Sequence, residues 1–376
     1  MKTVLTLLFF ALSPLLINAS DWVPYVSGGI TFAVNKDLAK AHVAGYDSFV
    51  SSSDFQPVYA EGDVVIPSYI IYNGVKCEVT SIDYRAFLGN ITSITIPPTL
   101  KYISNEAFSW DREEGTGIQS VFIEDLAAWC DIYGNADEIP DGPLPGAKLY
   151  LNRKLVKNLS IPEDVNNFGC AFEGCTSLLT IQMHEGINSI SEYAFRNCIY
   201  LNSTNIPESI TAIGEYSFAG CIRLKDIIIP EGVTFINWGT FYGCNQLNMV
   251  DLGSGVTEIS PEAFQGCNHL TDLYCRAQQP PIATYDMETD DTFIKTHYSK
   301  TTLHVPASAV NAYRSTLPWS RFKHIVAIEE ATGIKQLDTT IGIATYHTVS
   351  GQPISHPTKG VYIEKSGNHI KKVIIH

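Results

Sequence analysis

Between residues 172 and 274 one pattern recurs at a constant spacing. Phenylalanine stands at Phe172, Phe195, Phe218, Phe241 and Phe264. Three positions behind each comes a cysteine (Cys175, Cys198, Cys221, Cys244, Cys267), and six behind comes a leucine (Leu178, Leu201, Leu224, Leu247, Leu270). Several columns held at one spacing without a gap identify an internal repeat. A unit this short cannot enclose a core of its own, so it must bury its apolar face against its neighbours. The chain is therefore expected to fold as a solenoid, mostly β, with 23-residue repeats joined by short 3₁₀ or α turns.

One unit shows how. In Leu224-Lys225-Asp226-Ile227-Ile228-Ile229-Pro230, strand alternation turns Leu224, Ile227 and Ile229 inward and Asp226 and Ile228 outward. Pro230 lacks the N–H that would extend the ladder and ends the strand. Glu231-Gly232 turns the chain, residues 233–236 form a second short strand, and a tight turn leads to the next Phe. Ser260-Pro261-Glu262 reads as a helix start, with a capping serine and proline at the first helical position.

Nine cysteines would suggest disulfides in an exported chain. Five of them, however, occupy one column, so stacking sets them about 4.8 Å apart with side chains pointing the same way rather than at each other. They read as a buried ladder of small apolar thiols. Cys77, Cys130, Cys170 and Cys275 lie outside it, and Cys170 with Cys175 is a candidate pair. No CxxC or Cys/His cluster converges on a metal, and no cofactor is expected.

In chain order, residues 1–20 read as a secretory signal peptide: Lys2, an apolar run over 4–17, then Asn18-Ala19-Ser20. That run is shorter than the roughly 20 residues a membrane anchor needs, and no later segment is long and apolar enough to span a bilayer. The mature chain is thus expected outside the cytoplasm, secreted or at the cell surface, with outer-membrane association open. Residues 21–80 form an N-terminal cap, with a hairpin signalled by Asn73-Gly74 between two apolar runs. Residues 81–275 form the solenoid, interrupted by an enlarged unit at 109–170, since the interval from Phe108 to Phe172 far exceeds one repeat. Residues 276–328 form a closing cap in which Trp319, Phe322 and Ile325 cover the last repeat. Residues 329–338 read as a linker, and 339–376 as a small β module.

The unit Phe218-Ala219-Gly220-Cys221, Leu224, Ile227, Ile229-Pro230-Glu231-Gly232-Val233-Thr234 and Ile236 resembles the BspA-like leucine-rich repeat family of bacterial surface proteins, over roughly residues 60–328. The resemblance implies a leucine-rich repeat solenoid in an exported protein that binds other macromolecules, host matrix proteins or other cells among them. It carries no catalytic motif. In the tail, residues 350–352, 357–363 and 371–373 resemble the C-terminal sorting domains of type-nine secreted bacterial proteins, and a small stalk is the other reading.

A net charge of −14 argues against a nucleic-acid partner. Binding would reside on the outward strand positions, which stacking sets in two rows: Gln182, Asn205, Ile228, Asp251 and Tyr274, and Thr180, Ser203, Asp226, Met249 and Asp272. Apolar anchors among polar groups suit a protein partner, while a merely solvated sheet face reads the same way. The loop 111–146 is a rival site. Asp226, Asp251 and Asp272 lie in adjacent units and are candidates to approach each other as a glycosidase or calcium pair does, although such acids more often form a simply hydrated face. His184 reads as an exposed turn residue; neither it nor His269, His297, His304 or His324 neighbours a nucleophile motif, so no enzyme is expected. Three N-glycan acceptor triplets, starting at Asn90, Asn158 and Asn202, are silent in a bacterial protein. Two alternatives stay open: a polysaccharide-binding accessory protein, favoured by an aromatic platform, of which only Tyr274 is visible in the rows, and a spacer without a specific ligand.

Overall fold

The computed structural model describes residues 22–45, 61–87, 91–104, 107–108, 117–134, 146–283, 292–293 and 295–328, together with the tail strands 345–348, 353–354, 360–366 and 369–375. The expected signal segment 1–20, the expected linker 329–338 and residues 111–116 and 135–145 of the loop lie outside the described residues.

Each unit contributes one strand to a parallel ladder, because a chain that makes one full circuit returns in the same direction. Asp226–Ile228, Met249–Leu252, Asp272–Cys275, Thr302–Val305 and His324–Ala327 form one such sheet. Its register sets Asp226, Met249, Asp272, Thr302 and His324 side by side. The inward residues Ile227, Val250, Leu273, Leu303 and Ile325 are all buried. Upstream, Asn158–Ser160, Thr180–Gln182 and Ser203–Thr204 make a three-stranded parallel sheet. The equivalent strands of the first units, Gly62–Val65, Ile91–Ile96, Ser120–Ile123 and Lys148–Leu151, make another, closed by the antiparallel Lys154–Leu155.

The sheet divides after Ser203–Thr204, and the sequence supplies the cause. Thr204 occupies the inward column held elsewhere by Ile181, Ile227 and Val250. Its hydroxyl donates to the carbonyl of Asn205 at 3.1 Å. A polar group there bonds locally instead of driving the strand into the core.

The short second strands, Ser189–Ile190 with Ala212–Ile213 and Phe235–Ile236 with Glu258–Ile259 and Ile282–Ala283, are parallel as well. The third side of the unit is not helical as expected from Ser260-Pro261-Glu262, which lies instead in consecutive turns. Two residues flanking each Phe from Phe195 to Phe264 adopt positive φ, and Phe172 has the second of them. One column is Tyr193, Tyr216, Gly239 and Glu262, and the other is Gly174, Asn197, Gly220, Gly243 and Gly266. A left-handed residue cannot continue a right-handed helix, so each pair folds the segment into tight turns.

Between these bends the phenylalanines stack. Centroid separations run 6.1, 5.3, 5.7 and 5.6 Å from Phe172 through Phe264, and all five rings are fully buried. The spine does not stop at Phe264: Phe293, at a longer sequence interval than the repeat, stacks on it at 5.8 Å. Trp319, Phe322 and Tyr298 meet Phe293 edge-on and close its far side.

All nine cysteines are free and buried, including Cys170 and Cys175. The ladder has a bonding role as well as a packing one. The thiols of Cys198, Cys221, Cys244 and Cys267 donate to the carbonyls of Phe172, Phe195, Phe218 and Phe241 at 3.0–3.2 Å. Each carbonyl also accepts the backbone N–H of the cysteine in its own unit. Burial pushes these thiols up, Cys244 to about 12.

At the N-terminal end, Val23–Ser27, Ile30–Asn35 and Lys40–Val43 are antiparallel, and the last pairs parallel with Val75–Ile82. Tyr69–Tyr72 and Val75–Ile82 form the hairpin expected at Asn73-Gly74, both of which have positive φ. Among the described residues the α-helices are Leu126–Gly134, capped by Asp125 accepting the N–H of Ala128 at 3.0 Å, Lys295–Lys300 and Val310–Ser315. The tail strands Thr345–Thr348, Pro353–Ile354, Gly360–Ser366 and His369–Ile375 form an antiparallel sheet.

Candidate binding face

Within each sheet the rows exist as registers, Thr180 beside Ser203, then Asp226, Met249 and Asp272, and Ile228, Asp251 and Tyr274, but the break after Thr204 interrupts both, and they are not uniformly open. Thr180, Ser203, Asp226 and Asp272 are half-buried, Gln182 is exposed and Ile228 is half-buried. Met249 is only 5% exposed and Asp251 only 2%, so neither offers the free surface expected of it. Strand alternation sets direction but not cover, and Asp251 is covered by Arg276 from the next unit.

Arg276 Nε and one terminal nitrogen donate to the two carboxylate oxygens of Asp251 at 2.7 and 2.6 Å. Burial works against the Arg276 charge, yet the bonds and charge of Asp251 outweigh it and raise the guanidinium above its ordinary pKa. Asn205 is also occupied. Its Oδ1 accepts the N–H of Met183 and its Nδ2 donates to the Met183 carbonyl, both at 2.8 Å. The side-chain amide thus stands in for the strand pairing that is lost after Thr204.

Tyr274 is half-buried because its ring stacks on His304 at 4.1 Å, nearly parallel. His304 Nε2 lies 2.8 Å from Asp272 Oδ1. Row and register therefore gather Asp251, Arg276, Tyr274, His304 and Asp272 into one hydrogen-bonded and stacked cluster. The three aspartates do not converge. Asp226 and Asp272 are two strands apart, about 10 Å, with Met249 between, and Asp251 lies in the other row, paired with Arg276. Among the described residues no group of three or more His, Cys, Asp or Glu could hold a metal ion.

The other histidines are structural. His184 is not an exposed turn residue: its Nε2 meets the Val165 carbonyl at 3.0 Å and its Nδ1 accepts the N–H of Gly186. His297 is buried on the Cys267 carbonyl at 2.9 Å, and burial lowers its pKa. His269 lies against Asn245.

Two outward residues were missed from the rows. Phe122 and Tyr150 occupy the position of Ile228 in earlier units, stack at 4.6 Å and are half-exposed, with exposed Leu155 beside Tyr150 and exposed Val65 one strand beyond Phe122, across Thr95. Alternation within 121–123 and 149–151 would have found them, had the rows been extended across the enlarged unit. His304 was findable too, since Leu303-His304-Val305-Pro306 repeats the strand signature.

A family model for the BspA type leucine rich repeat region matches residues 70–124 and 146–271, in six copies. The chain belongs to the BspA-type leucine-rich repeat family. Solved structures similar to this BspA-type chain include a leucine rich cell surface protein from Faecalibacterium prausnitzii, 17% identical, covering 83% of this chain and 96% of that one, with a TM-score of 0.34. The pneumococcal vaccine antigen PcpA is 15% identical over 82% of this chain and 99% of its own, TM-score 0.35. A leucine-rich repeat protein from Bacteroides ovatus is 18% identical over 81% and 100%, TM-score 0.25. No curated protein matches this BspA-type sequence. Among the described residues no helix is long and apolar enough to cross a membrane.

Proposed function

We propose that this BspA-type chain is an exported adhesin-like protein that binds a protein partner through the outward side of its parallel strands, without catalysis. The repeat family itself suggests a protein-interaction role. The observation that carries the reading is the outward side: Ile228, the Tyr274–His304 stack and the Phe122–Tyr150 stack stand among Thr180, Ser203, Gln182 and Asp226. Partly exposed aromatic and aliphatic anchors on a rigid ladder lose little entropy on binding, and the polar groups between them orient a partner. Export rests on the signal-like residues 1–20, and the flanking segments 21–80 and 276–328 act as caps for the stack.

The test is surface plasmon resonance of the chain from residue 21 against extracellular matrix proteins and mucins at physiological salt. Ile228→Asp and Phe122→Asp should each weaken a saturable protein interaction about tenfold or more. Full affinity in both variants, with unchanged thermal unfolding, refutes the sheet face as the site. A second reading, polysaccharide binding, is favoured by the Phe122–Tyr150 pair, since aromatic rings seat sugar faces. Retention on an insoluble glycan that depends on Tyr150 would select it.

A further inference from the structure

A different side of the molecule carries an aromatic strip that the sheet-face reading does not use. The left-handed column Tyr193, Tyr216, Gly239 and Glu262 runs along the turns. Tyr193 and Tyr216 stack at 5.9 Å. Gly239 is required here: it has positive φ, and a Cβ would fall within the Tyr216 ring, so the missing side chain lets that ring lie against the backbone. Beside it Trp238 is 36% exposed, and its Nε1 donates to Glu262 Oε2 at 3.1 Å. The Tyr216 hydroxyl donates to the same oxygen at 3.4 Å. One carboxylate thus holds two aromatic side chains from two other units, and Glu192 and Glu215, both exposed, border the strip.

The chain shows on itself what such a surface binds. The Arg196 guanidinium lies 4.2 Å over the Tyr193 ring while it pairs with buried Glu173. A few residues away, Arg223 lies 4.6 Å over Tyr200. Ring face and carboxylate together favour a guanidinium, the ring through its quadrupole and the carboxylate through charge. Trp238 and Glu262 repeat the ring and the carboxylate, while Tyr216, its ring between Tyr193 and the Gly239 backbone, helps hold that carboxylate. Among the described residues, no guanidinium lies over the Tyr216 or Trp238 ring.

We propose that Trp238 and Glu262, backed by the Tyr193–Tyr216 stack and bordered by Glu192 and Glu215, form a second docking surface that seats arginine and lysine side chains of an extended basic polypeptide. Charge complementarity selects this occupant. Three carboxylates stand along the rings on a chain of net charge −14, which disfavours acidic peptides and acidic glycans alike. The strip runs over four units, about 14 Å at roughly 4.8 Å per unit, and an extended peptide laid along it presents about three same-face side chains over that length, about 6.8 Å apart. The environment agrees: burial and then Glu192 raise the Tyr193 phenol, and burial and then Glu262 raise that of Tyr216.

The probe is dye-labelled hexa-arginine, titrated by fluorescence anisotropy with the chain from residue 21 in about 150 mM salt, where exposed charges are screened beyond roughly 8 Å. Saturable binding is expected. The double variant Glu192→Gln/Glu215→Gln should weaken it roughly fivefold or more, and Trp238→Ala roughly two- to fivefold. The control variant Glu61→Gln/Glu208→Gln removes the same charge at exposed positions elsewhere and should change affinity less than about twofold. Glu192 and Glu215 are exposed, so their replacement leaves the fold intact whatever Trp238→Ala does. Equal weakening in both double variants would reduce the effect to net charge and overturn the proposal, as would no saturable binding. Binding of neutral maltohexaose or cellohexaose that depends on Trp238 would reassign the strip to a glycan. Ile228→Asp should leave hexa-arginine binding unchanged, which separates this strip from the sheet face.

Discussion

Removing the ring of Phe218 probes the spine where it is most regular. The ring is fully buried, stacked at 5.3 Å on Phe195 and at 5.7 Å on Phe241. Phe→Ala in a core costs about 3–5 kcal/mol. The upper part of that range applies, because both neighbouring rings are fixed in their own units and cannot close the gap. About 0.5–1.5 kcal/mol of the loss belongs to each stacked pair. A double-mutant cycle in urea separates that share from simple burial. Phe195→Ala with Phe218→Ala should show a coupling of about 0.5–1.5 kcal/mol. Phe195→Ala with Phe264→Ala, three units and about 14 Å apart, should add within roughly 0.5 kcal/mol. Equal coupling in the two cycles would refute nearest-neighbour stacking as the source of stability. So would a cost for Phe218→Ala under about 1.5 kcal/mol, the transfer term for burial alone.

Other perturbations follow from the same geometry. Cys244 is held at about 12 by burial, against an ordinary value of 9.0, so the folded state keeps a proton that the unfolded state releases above pH 9. Its stabilisation is complete below pH 9 and is lost as pH rises toward 12; relative to Cys244→Ala, the native chain should lose about 1 kcal/mol between pH 9 and pH 10 in urea titrations. Asp251→Ala strands the partly buried Arg276 and should cost about 2–4 kcal/mol, with Arg276→Met restoring part of it, read as shifts in urea midpoint. At Gly266, where φ is +81° and a Cβ would lie 3.0 Å from the Gly243 Cα, alanine should cost about 1–2 kcal/mol or more by thermal unfolding. Its replacement by asparagine should cost less than its replacement by valine, since Asn197 already adopts this conformation in the same column.

Much of the architecture was legible because the repeat is a statement about contacts. A column of Phe, Cys and Leu at one spacing can be satisfied only by stacking, and strand alternation then names the inward residues. Ile227, Val250 and Leu273 lie where that logic puts them. The turn chemistry was misread at Ser260-Pro261-Glu262, because positive φ at Glu262 leaves no trace in residue type, whereas the glycine column at 220, 243 and 266 did leave one. Phe293 escaped because its distance from Phe264 along the chain is longer than the repeat, although the two rings still meet.

For the binding face the division is sharper. By itself the sequence determined which side chains point away from the core and which neighbours share a row, since both follow from period and alternation. Only the tertiary structure decided which of those side chains are free. Asp251 is covered because Arg276 reaches back from the next unit, Asn205 is spent on the backbone of Met183, and Tyr274 lies under His304. The turn-side strip likewise depends on Tyr216 and Trp238 reaching one carboxylate, Glu262, from two other units. Each of these pairings joins residues in different units through a side-chain rotamer, and a repeat period constrains where backbones lie, not which way a long side chain turns.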